Sequence, residues 1–139
     1  VSDKENTMFF GTSKKKVLVI DDDPSLQRLL HARLEMHEDV KVIEAMDGKS
    51  GLAQADDHNP DLIILDWMLP DIQGIEVLER LRRESSTKRT PVLMLTGKDK
   101  VGDIEDAFDL GADAYLTKPV SLQTLGDKVS AMLKPSSLN

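Results

Sequence analysis

Three consecutive carboxylates, Asp21, Asp22 and Asp23, follow directly on the apolar run at 17–20. Three other polar side chains stand in the same relation to later apolar runs: Asp66 after "LIIL", Thr96 after "VLML" and Lys118 after "AYLT". Carboxylates about 5 Å apart, at an effective dielectric near 20, repel by about 3 kcal/mol per pair. A fold that gathers them therefore needs positive charge at the same place. A hard divalent cation suits an all-oxygen donor set, and Mg²⁺ in particular favours a few carboxylates together with water and phosphate oxygens. Lys118 would add a second, fixed positive charge. A carboxylate, a hydroxyl, an ammonium and Mg²⁺ around one space make a site for a transferring phosphoryl group, whose oxygens need several separate sources of stabilisation.

That chemistry requires elements that bring distant positions to one edge. Short runs rich in Val, Ile and Leu at 17–20, 40–44, 62–65, 92–95 and 114–117 read as strands, most of them apolar on both faces, as strands covered by helices must be. Between them apolar residues recur at helical spacing: Leu26, Leu29, Leu30 and Leu34; Ile75, Leu78 and Leu81; Val101, Ile104, Ala107 and Phe108; and finally Leu122, Leu125, Val129, Met132 and Leu133. The stretch 48–57, interrupted by Gly48 and Gly51, is the weakest helix. Asp23 is placed to cap the first helix ahead of Pro24, and Ser121 to cap the last. This alternation predicts an α/β fold, a doubly wound parallel sheet of five strands with five flanking helices. Ligands of such sheets bind beyond the carboxyl ends of the strands, where Asp21, Asp22, Asp66, Thr96 and Lys118 would all meet.

Length and charge narrow the partners. The chain has 139 residues, enough for one domain with a real core. Its net charge of −7 argues against direct binding of nucleic acid, which depends on a clustered basic surface. Lys14 to Lys16 read as a solvated flank of the first strand. No apolar run approaches membrane-spanning length and no signal-peptide h-region is visible, so a cytoplasmic location with no membrane contact is expected. The absence of cysteine excludes disulfides and thiolate metal sites. Residues 1–14 read as a flexible N-terminal segment, 15–134 as the folded domain, and 135–139 as a tail or the start of a linker.

The strings "VLVIDDDPS", "LIILDWMLPDIQGIEVL", "PVLMLTG" and "GADAYLTKP" together resemble, in order and spacing, the receiver domain of two-component response regulators over about residues 16–133. The resemblance implies a flavodoxin-like sheet in the order 2-1-3-4-5. It implies that Asp66 is the phosphoacceptor, taking a phosphoryl group from a histidine kinase or a histidine phosphotransfer protein. Asp22 would bind Mg²⁺ directly and Asp21 mainly through water, with Asp66 and the backbone carbonyl of Met68 completing the metal ligands. Thr96 and Lys118 would each bond a phosphoryl oxygen, and a cis Lys118–Pro119 bond is expected. Tyr115 corresponds to the switch aromatic that turns inward when Thr96 moves, altering the face of the fourth helix, fifth strand and fifth helix for a downstream effector protein, an output domain or self-association. On the same resemblance the chain is a switch that catalyses its own phosphoryl transfer, not a turnover enzyme.

Plainer roles cover the remaining candidates. Asp23 is a helix cap, Asp71 a solvated loop acid, and His31, His37 and His58 are surface residues. Gly97 stands where the family more often has Ala. Met68 and Lys98 occupy positions that in the family govern attack of water on the acyl phosphate, and a bulky Met68 with no acid or amide at Lys98 predicts slow self-dephosphorylation. Two competing readings remain. "LVIDDDPS" also resembles the signature of haloacid-dehalogenase-like phosphohydrolases, with Asp21 as nucleophile and Asp23 as acid/base. A non-phosphorylated pseudo-receiver, used as an interaction module, would keep the fold without the chemistry.

Overall fold

A computed structural model describes residues 14–97 and 104–134. The elements run β1 (Lys15–Ile20), α1 (Pro24–Leu34), β2 (Val40–Ala45), α2 (Gly48–His58), β3 (Leu62–Asp66), α3 (Gly74–Arg83), β4 (Val92–Thr96), α4 (Ile104–Asp109), β5 (Ala114–Thr117) and α5 (Leu122–Leu133). The strands form one parallel sheet in the order β2-β1-β3-β4-β5. The expected architecture and strand order are those observed. Three strands extend one residue further at the polar end than the apolar runs suggest: β2 takes in Ala45, β3 takes in Asp66 and β4 takes in Thr96. Backbone pairing continues there regardless of side-chain polarity, which puts Asp66 and Thr96 on the rigid sheet and not on loops.

The pleat sends alternate side chains to opposite faces, so the core has two layers. Leu18, Ile20, Ile63, Leu65, Val92 and Met94 pack under α2, α3 and α4 through Ala55, Val77, Leu78, Leu81 and Ala107. Val17, Val19, Leu62, Ile64, Leu93 and Leu95 face α1 and α5 through Leu30, Leu34, Leu125 and Val129. Each fully buried Val, Leu or Ile contributes about 1.5–3 kcal/mol. Truncating a central one such as Ile63, which has no exposed surface, to Ala costs about 2–5 kcal/mol. The edge strand β2 is the more polar one, with Lys41 and Glu44 exposed between buried apolar residues.

Local signals explain most helix starts. The Asp23 carboxylate accepts from the amides of Ser25 (2.9 Å) and Leu26 (3.3 Å), with Pro24 at the first helical position, as expected. Ser121 caps α5 through the Thr124 amide at 3.0 Å, also as expected. In α2 the glycines mark close approach, and the helix is regular: a Cβ at Gly51 would come within 2.6 Å of the Ile20 side chain. At the far end of the sheet the Arg82 guanidinium bonds the carbonyls of Gly111 (3.0 and 2.8 Å), Thr87 (3.2 Å) and Thr90 (2.8 Å), and the Asp113 carboxylate (3.0 Å). Asp113 in turn accepts the Val92 amide at 2.8 Å, so the starts of β4 and β5 are tied to α3.

Two residues assigned to the core by helical spacing lie elsewhere. Leu29 is 52% exposed, and α1 instead turns Gln27, Leu30 and Leu34 inward. Phe108 is 42% exposed and packs on the surface against Tyr115. Val101 and Lys98, and the segments 1–13 and 135–139, lie outside the described residues.

Candidate functional site

Each apolar run stops where the sheet meets solvent, so the polar residues at the carboxyl ends of β1, β3, β4 and β5 share one edge. The Lys118 ammonium lies between two of them, 2.9 Å from Asp21 Oδ2 and 3.2 Å from Asp66 Oδ2. Oxygens of Asp21, Asp22 and Asp66 all lie within 4.8 Å of one another, with Asp22 exposed and the other two buried. Asp21 is held on every side: its amide donates to the Ala45 carbonyl at 3.0 Å, and Oδ1 accepts the Asp23 amide at 2.9 Å. The Lys118–Pro119 peptide is cis, and the Lys118 amide donates to the Thr96 carbonyl at 2.7 Å.

The electrostatics fit an anion and cation site. Burial pushes the Asp66 carboxyl above its ordinary value, the neighbouring Asp21 carboxylate pushes it further, and Lys118 opposes both. Burial disfavours the Lys118 charge, yet its bond to Asp21 and the charges of Asp66 and Asp21 raise its pKa overall. One ammonium is thus shared by two carboxylates, Asp21 and Asp66. The Thr96 hydroxyl is buried at the end of β4 and has no hydrogen-bond partner among the described residues. A buried orphan hydroxyl costs about 1–3 kcal/mol, which an acceptor oxygen of a bound anion would offset. The donor set, all oxygen and mostly carboxylate, suits a hard divalent cation.

The loop after β3 is shaped by two further residues. The Gly74 amide closes it on the Trp67 carbonyl at 2.8 Å, and a Cβ at Gly74 would land on the Asp66 carbonyl and 2.9 Å from the Trp67 Cα. Asp71, read from sequence as a solvated loop acid, is exposed but also accepts from the amides of Gly48, Lys49 and Ile72, each at 2.8 Å. Desolvation raises its pKa, but the Lys49, Gly48 and Ile72 amides together lower it to about 2. It joins this loop to the start of α2, a contact no local pattern announces.

The other site candidates sit as follows. Met68 follows Asp66 at the rim, its side chain 54% exposed and its amide donating to Asp66 Oδ1 at 3.3 Å. Tyr115 is turned outward, its ring edge-on to Phe108 with centroids 5.7 Å apart. Gly97 is half-buried next to Thr96. Asp23 caps α1 through Oδ1, as its plainer role predicts. His31 is a surface residue bridging Glu44 (2.8 Å) and Glu35 (3.1 Å). A shallow depression lined by Asp23, Leu26, Lys118, Pro119 and Val120 adjoins the cluster. A separate hollow between α1 and α5, with Arg33, His37 and Val129 in its wall, lies at the opposite ends of the strands and contains none of these residues. Among the described residues no helix is long and apolar enough to cross a membrane.

Known proteins share both pattern and fold. A family profile for the response regulator receiver domain matches residues 17–130. The DNA-binding dual master transcriptional regulator RpaA of Synechocystis sp. is 44% identical over 119 residues, 86% of this chain and 49% of its own length. The alkaline phosphatase synthesis transcriptional regulatory protein PhoP of Bacillus subtilis is 44% identical over 124 residues, 89% of this chain and 50% of its own. The chain therefore spans about half the length of these curated relatives. The crystal structure of a putative response regulator from Chloroflexus aurantiacus superposes with a TM-score of 0.80 at 32% identity, covering 87% of this chain and 98% of that one. With the strand order, the acidic cluster and the Lys118 bridge already in place, the match assigns the chain to the response regulator receiver domain family of two-component signalling.

Proposed function

We propose that Asp66 is the residue phosphorylated in this receiver domain. The observation that carries the reading is Lys118 bridging Asp21 and Asp66, with the unpartnered Thr96 hydroxyl on the adjacent strand end. A carboxylate oxygen of Asp66 attacks phosphorus in line with the bond to a phosphohistidine nitrogen of a histidine kinase or histidine phosphotransfer protein. That P–N bond breaks, a P–O bond to Asp66 forms, and the imidazole leaves and takes up a proton. Lys118 and the Thr96 hydroxyl each hold a phosphoryl oxygen, and positioning plus charge stabilisation supply the rate enhancement. Asp21, Asp22, Asp66 and the Met68 carbonyl would hold Mg²⁺, which when bound neutralises charge on the attacking and transferring oxygens.

Tyr115 and Thr96 form the switch. With the phosphoryl group in place, Thr96 moves toward it, and Tyr115 leaves its exposed position beside Phe108 and turns inward. This changes the surface of α4, β5 and α5 that a downstream effector, an attached output domain or a second receiver meets. The chain acts as a cytoplasmic switch rather than a turnover enzyme, with residues 15–134 as the functional unit. The side chain of Met68 screens the acyl phosphate from water, and self-dephosphorylation takes minutes; a half-life of seconds in Mg²⁺ contradicts this.

The direct test uses acetyl phosphate and Mg²⁺. Mass spectrometry should find one phosphoryl group on the wild type and none on Asp66→Asn. Trp67, the one tryptophan, is buried beside Asp66, so Mg²⁺ with beryllofluoride should change its fluorescence. A flat titration would instead support the pseudo-receiver reading.

A further inference from the structure

Gln27 is a polar residue in an apolar place. It sits one turn into α1, is 1% exposed, and shares the inward face of the helix with Leu30 and Leu34. Its side-chain nitrogen lies 3.0 Å from three backbone carbonyls, those of Val19, Asp21 and Ala45. The amide orientation is forced, because the reverse one would face its oxygen to three other oxygens. The cost of that orientation is visible at the other end, where Gln27 Oε1 is buried without a hydrogen-bond partner among the described residues. A leucine or methionine would fill the same space with no orphan acceptor, so filling the core does not explain a glutamine here.

The three carbonyls share a location, the corner where β1 hands over to α1 beside the end of β2. The Ala45 carbonyl also accepts the Asp21 amide at 3.0 Å, so Gln27 and Asp21 are fastened to the same point. The peptide joining Asp21 to Asp22 is planar, and a bond to its carbonyl fixes the direction of its N–H and the position of the Asp22 Cα. Asp22 is otherwise exposed at the tip of this corner. Of the three clustered acids, Asp21 and Asp66 are steadied by Lys118, whereas no Asp22 side-chain bond is found among the described residues.

We propose that Gln27 is a positioning residue for the divalent-cation site: by clamping the Asp21–Asp22 peptide it presents the Asp22 carboxylate to the metal. The inference rests on the reading of Asp21, Asp22 and Asp66 as that site. Gln27→Met keeps the volume and removes the donors. It should weaken Mg²⁺ binding about tenfold, the scale of lost support behind a metal ligand, as read from Trp67 fluorescence and from the Mg²⁺-induced rise in melting temperature. Leu34→Ala, a cavity at the other end of α1, is the comparator: it should lower stability and leave Mg²⁺ affinity unchanged. Affinity in Gln27→Met equal to wild type, or reduced to the same extent in Leu34→Ala, overturns the proposal. If Gln27→Met does not fold, the wild-type Gln27 side-chain amide is followed by NMR during a Mg²⁺ titration. A shift with the midpoint of the Trp67 response supports the clamp, and a silent amide overturns it. Should the wild type itself show no Mg²⁺ response by either probe, the metal-site reading fails first and this inference with it.

Discussion

The Lys118 ammonium bonds Asp21, 97 residues earlier in the chain, at 2.9 Å. It also reaches Asp66, so one cation stands against the acidic cluster of the protein without metal. Lys118→Met should therefore lower the unfolding free energy by about 2 kcal/mol, less than for a fully buried pair because the ammonium is partly solvated. Saturating Mg²⁺ should restore part of that loss by replacing the missing charge. Urea denaturation with Mg²⁺ and with EDTA measures both effects.

Asp66 should behave in the opposite sense. Folding raises its pKa above 3.8 through burial and the nearby Asp21, so the native state is relatively favoured when Asp66 is protonated and loses that advantage as pH rises through the folded value. In EDTA at neutral pH, Asp66→Asn should be more stable by about 1 kcal/mol, a rise of about 4 °C in Tm, and the gain should disappear at acid pH. Asp23→Ala, which removes the α1 cap, should instead lower stability by about 1 kcal/mol. Thermal melts of the wild type and the two variants across pH decide whether Asp66 and Asp23 divide in this way.

Thr96→Val separates stability from function. Replacing a buried hydroxyl that has no protein partner by a methyl of similar shape should leave stability unchanged or raise it by about 1 kcal/mol. Phosphorylation by acetyl phosphate should slow by about a hundredfold, as when one preorganised donor to a developing charge is removed. A slow variant that is also unstable would point to damage of β4 rather than to a lost donor.

Asp71 gives a pH signature of its own. Its pKa is lowered from 3.8 to about 2 by amides of α2 and its own loop, so it contributes stability above the unfolded value that is lost as pH falls through the folded one. Asp71→Ala should melt below wild type at neutral pH, with the gap narrowing between pH 3.8 and about 2. Hydrogen exchange should also quicken at the Gly48 and Lys49 amides, which the carboxylate holds at 2.8 Å.

Gly74→Ala tests the loop behind the phosphoacceptor. Its Cβ meets backbone at Asp66 and Trp67, which cannot rotate aside as a side chain can. The cost should be about 2–3 kcal/mol, with a change in Trp67 fluorescence in the native state.

The strand ends were the most legible part of the chain. Asp66, Thr96 and Lys118 each interrupt an apolar run, and a parallel sheet leaves one place for such interruptions to meet. Helix faces were less legible, because period alone does not set rotation: Leu29 and Gln27 differ by two positions, and the structure turns the glutamine inward since backbone carbonyls at the β1 corner need its donors. Gly48 and Gly51 weakened the second helix on propensity, whereas tertiary contact with Ile72 and Ile20 requires their small size. Asp71 and Arg82 were beyond reach altogether, as each binds main-chain groups of segments distant in sequence, which have no side-chain signature.

Arg82 also bears on how the domain can move. It fastens the entrances of β4 and β5 to α3 through four carbonyl contacts and Asp113, at the pole opposite Thr96 and Lys118. If the switch proposed above moves β4, this anchoring favours a rotation that is smallest at Val92 and largest at Thr96, about 13 Å along the strand at a rise of about 3.3 Å per residue. On the proposed switch, the guanidinium would be the fulcrum and β4 the lever that carries a displacement at Thr96 outward to the helices beside it.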